Sequence, residues 1–320
     1  MKIDCHVHMV GNGLHGSGSY LNLNKTFYKI AAGVMLRSIG LPYRTLKEGD
    51  LEKLYLDYLI SNLEDSNLDA VLLLAQEQVY SEDGKAQPQM SNMYIPNDVV
   101  LGIYKQNPKF LPAVSIHPAR PDAIDELQRC KELGAKVMKC LPLYQQINCS
   151  NPRYRAFWQT MAELKMPLLA HTGDEKALPA YMPELASPEY LRLPLECGVN
   201  VIAAHGASTY NTLVNDFRPI LKAMLREFPN LYVDNSGMHM LFRAMNFKVF
   251  FHEEFEGRVI HGSDLPIPVF SFWAYLHKQI SKQDHLKCKA VKSPLGRDVQ
   301  IKKALGFKEE TFSLLSTLIS

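Results

Sequence analysis

Two histidines stand two residues apart at the start of the chain, in Met1-Lys2-Ile3-Asp4-Cys5-His6-Val7-His8. Side chains alternate faces along a strand, so His6 and His8 point the same way and could grip one cation. Eleven histidines in 320 residues give such a pair by chance roughly 0.4 times. The bland alternative is an ordinary strand with one exposed and one satisfied histidine, and the rest of the chain must decide. Further on, apolar runs close on residues of related chemistry. Val137-Met138 leads to Lys139, Leu168-Leu169-Ala170 to His171, and Ile202-Ala203-Ala204 to His205, while His261 is followed by Gly262-Ser263-Asp264. A hydrophobic strand ending in imidazole or carboxylate costs desolvation unless that group is paired or metal-bound. Any one of these ends reads as a cap or a satisfied histidine. Four in register with His6 and His8 are hard to explain by packing alone.

The elements that must position them follow from periodicity. Besides the first strand, candidate strands are Leu68–Ala75, Lys109–Ile116, Ala135–Leu141, Met166–His171, Asn200–His205, Asn230–Asn235 and Arg258–His261. Between them lie amphipathic stretches at Leu51–Ser66, Asp122–Leu133, Pro152–Leu164, Pro188–Cys197, Thr209–Phe228 and His239–Glu253. Several open on proline or a capping side chain, and Gly134, Gly198 and Gly257 stand where helix C-caps belong. Alternating β and α elements with continuous apolar strands predict a parallel sheet covered by helices. Eight repeats fit an α/β fold of the (β/α)8 TIM-barrel type better than an open doubly wound sheet, since no Gly-x-Gly-x-x-Gly turn follows the first strand. The chain is expected to form one barrel domain over residues 1–320, with an inserted lid-like loop at 11–50 and a C-terminal helical extension at 281–320.

Two polar excursions, Gly11–Gly49 and Gln76–Pro96, fall at the C-terminal mouth of such a barrel, where substrates bind. The first contains an apolar portion, Phe27–Leu41. Between residues 282 and 303, seven Lys and Arg stand against two Asp, which reads as a solvated face because no aromatics interleave it. The whole-chain charge of +2 implies neither nucleic acid nor an acidic membrane as an obligatory partner. No stretch reads as a signal peptide or a transmembrane helix. Six scattered cysteines without a Cys-x-x-Cys pair predict free thiols in a reducing compartment, here the cytoplasm.

Asp4-Cys5-His6-Val7-His8, Ala170-His171-Thr172-Gly173, Ala204-His205-Gly206 and Gly262-Ser263-Asp264-Leu265-Pro266 together make the chain resemble the amidohydrolase superfamily. The likeness runs to the branch that includes aminocarboxymuconate semialdehyde decarboxylase. The signatures span nearly the whole chain and say nothing of the substrate. The resemblance implies that His6, His8, His171 and Asp264 ligate a catalytic metal. His205 would be a catalytic or outer histidine, or a ligand to a second metal. It also brings a homodimer as an expectation.

Three neutral imidazoles and a carboxylate leave an open position on Zn²⁺, with Mn²⁺ or Fe²⁺ as alternatives. An ion so held brings the pKa of water towards 7. Asp264 could take the proton and His205 could donate to a developing oxyanion. Lys139 has three readings: a carboxylated lysine bridging two metals, an ammonium that binds an anionic substrate group, or a lysine paired with a carboxylate. Arg120 in His117-Pro118-Ala119-Arg120 could clamp a substrate carboxylate, whereas His117 reads as a satisfied loop histidine. Asn235-Ser236-Gly237 reads equally as pocket lining or turn, His15 and Arg44 could reach the mouth, and Glu77 reads as solvent-facing. The expected activity is metal-dependent hydrolysis of a C–N or C–O bond in a small molecule. Non-oxidative decarboxylation on the same site is the alternative. A barrel deoxyribonuclease typically carries glutamate where Lys139 stands, and the near-neutral charge disfavours nucleic acid; a catalytically silent barrel would bind metal without turnover.

Overall fold

The structure is a computed structural model that describes residues 1–175, 177–208, 216–240 and 243–320. Its strands are β1 (Ile3–His8), β2 (Tyr20–Leu21), β3 (Ala70–Leu74), β4 (Met93–Tyr94), β5 (Phe110–Val114), β6 (Val137–Cys140), β7 (Leu168–Ala170), β8 (Val201–Ala203), β9 (Leu231–Asp234) and β10 (Val259–Ile260). Eight of them form one parallel sheet in the order β1-β3-β5-β6-β7-β8-β9-β10. The two ends of that sheet meet. Cys5 N donates to His261 O at 2.9 Å, His8 N to Leu265 O at 2.8 Å, and Val7 bridges Leu265 in parallel. This is the eight-stranded barrel that the alternation of apolar runs and helical periods predicts.

The packing explains the closure. One buried cluster brings Ile3, Leu72, Leu169, Ile202 and Ile260 together from β1, β3, β7, β8 and β10. Strands that are not neighbours touch only across a barrel interior, so this is the inner core. A larger cluster lies outside the sheet, where Met138 and Leu168 meet Leu127 and Trp158. Those last two sit on α5 (Ala123–Glu132) and α7 (Arg155–Glu163), which alternate with the strands alongside α3 (Leu51–Glu64), α4 (Asn97–Gln106) and the short α6 (Pro142–Gln145) and α8 (Arg192–Glu196). Asp50 caps α3 by accepting from Lys53 N at 3.0 Å. Gly134 ends the turn after α5 at φ +102°, which only glycine adopts freely.

The excursions after the first two barrel strands are ordered against each other. The first contains β2, α1 (Thr26–Ser38) and α2 (Thr45–Glu48), so the apolar portion Phe27–Leu41 is largely a helix. The second contributes β4, which pairs antiparallel with β2 through Tyr20–Tyr94 and Leu21–Met93. A small ribbon thus ties the two connections together. Part of the amphipathic stretch Thr209–Phe228 lies outside the described residues; its later part forms α9 (Arg218–Glu227). The stretch expected at His239–Glu253 is a 3₁₀ segment, Arg243–Phe251, preceded by two residues outside the described set. After the short α10 (Phe272–Leu276), the C-terminal extension folds as α11 (Lys282–Ala290), α12 (Pro294–Leu305) and α13 (Glu309–Leu318). Among the described residues no helix is long and apolar enough to cross a membrane, and all six cysteines are free.

The solvated face expected at 282–303 needs correction at two residues, Asp298 and Lys302. Lys302 is fully buried on α12 with Asp298 one turn before it, and its ammonium donates to Asp298 Oδ2 and to Gly262 O. Asp298 also holds His239 Nδ1 at 3.3 Å. Burial raises the affinity of Asp298 for a proton, but Lys302 and His239 outweigh it and hold the carboxyl below its ordinary range.

Candidate metal centre

The mouth of the barrel gathers the polar strand ends. His6 and His8 close β1, His171 follows β7, His205 follows β8, and Asp264 sits on the loop after β10. His6, His171 and His205 are buried, Asp264 is 4% exposed, and His8, His171, His205 and Asp264 line one cavity of about 390 Å³. His6 Nε2 lies 3.6 Å and His8 Nε2 3.5 Å from Asp264 Oδ1. These are not hydrogen-bond lengths. Ligands about 2.1 Å from one tetrahedral ion lie about 3.4 Å apart, so the three donors have the spacing of a shared cation. His171 meets His205 edge-on with ring centroids 4.8 Å apart, and its buried Nε2 has no hydrogen-bond partner among the described residues. Such an orphaned nitrogen on the cavity wall is what a ligand awaiting a cation presents.

The tautomers are set by Asp234, which ends β9 and which the sequence alone does not single out. Its Oδ2 takes His6 Nδ1–H at 2.8 Å; its Oδ1 accepts from His205 N at 2.8 Å, Ser236 N at 3.0 Å and Ser236 Oγ at 2.5 Å. Burial disfavours the charged form, yet His6, His205 and Ser236 outweigh it, so the carboxyl stays ionised well below the usual range. With its Nδ1 proton on Asp234, His6 presents an unprotonated Nε2 towards Asp264. Burial, and then the neighbouring Lys139 ammonium, push the His6 pKa down to about 4, so the ring is neutral at neutral pH. His205 Nδ1 faces Ser236 Oγ at 2.8 Å and Ser236 O at 3.2 Å. Because the Ser236 hydroxyl proton is committed to Asp234, His205 Nδ1 must be the donor and its Nε2 an acceptor. Burial and the Arg243 guanidinium keep that ring neutral too. Asp234→Asn removes the acceptor that fixes both histidines; competition against a chelator should show metal affinity 10- to 100-fold weaker.

Asp264 is held with equal care. Its N donates to His6 O at 2.8 Å and its φ is +73°, while His205 sits at φ +60°. Non-glycine residues in this left-handed region cost about 1–3 kcal/mol each and persist where the surroundings over-determine them. Burial opposes the charge on Asp264, but His8, His6 and Arg243 outweigh it and hold the carboxyl well below the usual range. Oδ2 lies 3.6 Å from Arg243 Nη1 and 3.9 Å from His205 Nδ1, so the two oxygens face different partners. Gly262 allows β1 and this loop to touch: a Cβ there would lie 2.8 Å from His6 Cβ.

The other candidates are placed differently. Lys139 is fully buried and does not line the cavity, but its Nζ stands 3.4 Å from His6 Nε2, the same ring nitrogen that faces Asp264. Desolvation lowers its proton affinity against the pull of Asp234. Arg120 is engaged by Glu77 at 2.7 Å and by Asp122 at 2.8 Å, away from the cavity. Glu77, expected to face solvent, is 2% exposed because it carries that guanidinium. His15 and Arg44 are exposed and do not line the cavity. Arg243 and Glu175, which do line it, have no strand-end signal to mark them.

His117 is a satisfied histidine, as its loop position predicts. Its Nε2–H donates to Gln145 O at 3.0 Å and Nδ1 accepts from Ala119 N at 3.1 Å. Burial holds its pKa down to about 4. The unfolded chain takes that proton near 6.5, so stability present above pH 6.5 is lost as pH falls towards 4, by about 3 kcal/mol. Urea unfolding at pH 7 and pH 4.5 should show a shallower loss in His117→Gln than in wild type.

The family model described as Amidohydrolase matches residues 3–302. No curated protein matches the sequence significantly. Among solved structures, an uncharacterised TIM-barrel protein of Bordetella bronchiseptica superposes with a TM-score of 0.59 at 17% identity, covering 94% of this chain and 99% of its own. The 5-carboxyvanillate decarboxylase of Sphingomonas paucimobilis gives 0.57 at 13% identity, covering 98% and 96%. A probable 2-pyrone-4,6-dicarboxylic acid hydrolase of Acinetobacter baumannii, solved with citric acid bound, gives 0.53 at 15% identity, covering 96% and 99%. At these identities the likeness is one of fold.

Proposed function

The chain belongs to the amidohydrolase family, and from that premise we propose that it is a metal-dependent hydrolase of a small-molecule C–N or C–O bond, in an amide, cyclic amide, lactone or ester. One observation carries the reading: His6 Nε2, His8 Nε2 and Asp264 Oδ1 face one another at the cavity floor with the spacing of ligands. We assign His6, His8, His171 and Asp264 as the ligands of one divalent cation, Zn²⁺ first and Mn²⁺ or Fe²⁺ next. A second group of close donors, His6, His205 and Asp234, does not make a second site, because hydrogen bonds already occupy the Asp234 oxygens.

The cation, when bound, supplies the Lewis acidity that makes water a nucleophile near neutral pH. Asp264, ionised and with Oδ2 turned from its ligand oxygen, accepts the proton that attack releases and returns it to the leaving group. His205 presents Nε2 as an acceptor and so orients the attacking water. Donation to an oxyanion, the role expected of it from sequence, would need the proton that Ser236 holds at Nδ1. Arg243, beside Asp264, is the cation placed to meet negative charge on the substrate. Lys139, its ammonium 3.4 Å from His6 Nε2, tunes that ligand nitrogen from within the protein. Six free thiols support a reducing compartment, and we place the protein in the cytoplasm.

Decarboxylation on the same residues is the second reading, and it gains support from the name of the Sphingomonas relative. A substrate panel on zinc-loaded protein separates the two. We expect release of acid or ammonia; release of CO₂ with neither would replace the first reading by the second.

A further inference from the structure

Away from its floor the cavity changes character. Twenty of its twenty-eight lining residues are apolar, and apart from Tyr28 and Asn92 the polar ones are those of the centre and its neighbours Glu175 and Arg243. The apolar wall is built by the first excursion: Phe27, Ala31, Ala32 and Met35 of α1 face Met93 of β4 and Ile267. Arg243 is the only Lys or Arg among the described lining residues. A cavity of about 390 Å³ holds roughly thirteen water-sized volumes.

Resting on the function proposed above, we propose that the substrate has one polar end and an extended apolar body. The group that reacts lies at His8, Asp264 and Arg243, and a hydrocarbon body of about ten heavy atoms lies along the inner face of α1. A second carboxylate on that body would be buried against leucine, alanine and methionine side chains with no cation to meet it, at a cost of desolvation that nothing there offsets. The site therefore selects against diacids that lie wholly within the chamber. The wall also continues outward. Phe27 and Val34 line the cavity yet are 59% and 56% exposed, so a body longer than the chamber emerges over apolar surface.

The test is calorimetric binding of straight-chain alkanoates from four to twelve carbons, and of α,ω-diacids of equal length, to metal-loaded protein. Each added methylene should tighten binding about three- to fourfold until the chamber is full, after which the affinity levels off. Diacids short enough to lie wholly within the chamber should bind at least about tenfold more weakly than monoacids of the same length. Ala31→Asp, at a partly exposed site on α1, should flatten the chain-length dependence. Equal affinities along the series, diacids binding as tightly as monoacids, or an unchanged slope in a folded Ala31→Asp protein would each overturn the proposal. Should that variant fail to fold, the comparison of monoacids with diacids in wild type decides alone. A failure of the metal assignment would instead weaken every acid alike and leave the slope intact, so the two failures are distinguishable.

Discussion

Asp264→Asn lowers kcat/KM by at least about 10³-fold and leaves the chain folded. The substitution keeps the size of the side chain and, because asparagine tolerates the left-handed backbone, adds little strain at φ +73°. It removes the charge that faces His6 and His8 from one oxygen and Arg243 from the other. Loss of a positioned proton acceptor alone is worth about 10²–10⁴ in rate, and loss of an anionic ligand adds to it. The wild-type carboxyl is held well below its usual range, so it contributes stability above its unfolded value near 3.9 that disappears only as pH falls through its folded value. Activity in acid should therefore fail through the histidines before it fails through Asp264. A steady-state assay beside a melting curve checks both halves: an active Asp264→Asn enzyme, or an inactive one that is unfolded, would contradict this account.

Lys302→Met is expected to be the most destabilising single change away from the cavity, by about 3–5 kcal/mol. The lysine and Asp298 are both fully buried, with His239 and His261 as their surroundings. Deleting the ammonium leaves the Asp298 carboxylate in the interior without its lysine partner, with only His239 and His261 beside it, and it also frees Gly262 O, two residues before Asp264. A drop in melting temperature of roughly 5–15 °C should result. The double variant Lys302→Met with Asp298→Leu should recover part of that loss, because replacing both members of a buried pair by apolar groups removes the uncompensated charge. Recovery fails if the pair is instead required for chain geometry, and chemical denaturation of the three proteins tells which.

The barrel is legible in the sequence because its strands are short apolar runs in a regular alternation, and the centre is legible because His6, His8, His171, His205 and Asp264 each close or trail such a run. Coupling across sequence distance stays hidden. Asp234 ends β9 in the same manner, after Leu231-Tyr232-Val233, yet the Asn235-Ser236-Gly237 beyond it reads equally as pocket lining or turn and draws attention away from it. Asp298 and Lys302, four apart on a helix, have the pattern of a surface pair; only the strands packed around them make the pair buried. The ion pair of Glu77 with Arg120 spans 43 residues, and no local pattern announces it. The wall of the cavity, likewise, depends on α1 folding back over the mouth, which an apolar stretch inside a Gly- and Ser-rich connection does not foretell.

The measurement closest to the central claim is an anomalous difference map from crystals of zinc-loaded protein, collected on both sides of the zinc absorption edge. One strong peak per chain is expected, within bonding reach of His6 Nε2, His8 Nε2 and Asp264 Oδ1 and facing His171. A map with no peak among these atoms, or with its peak on other residues, would contradict the assignment.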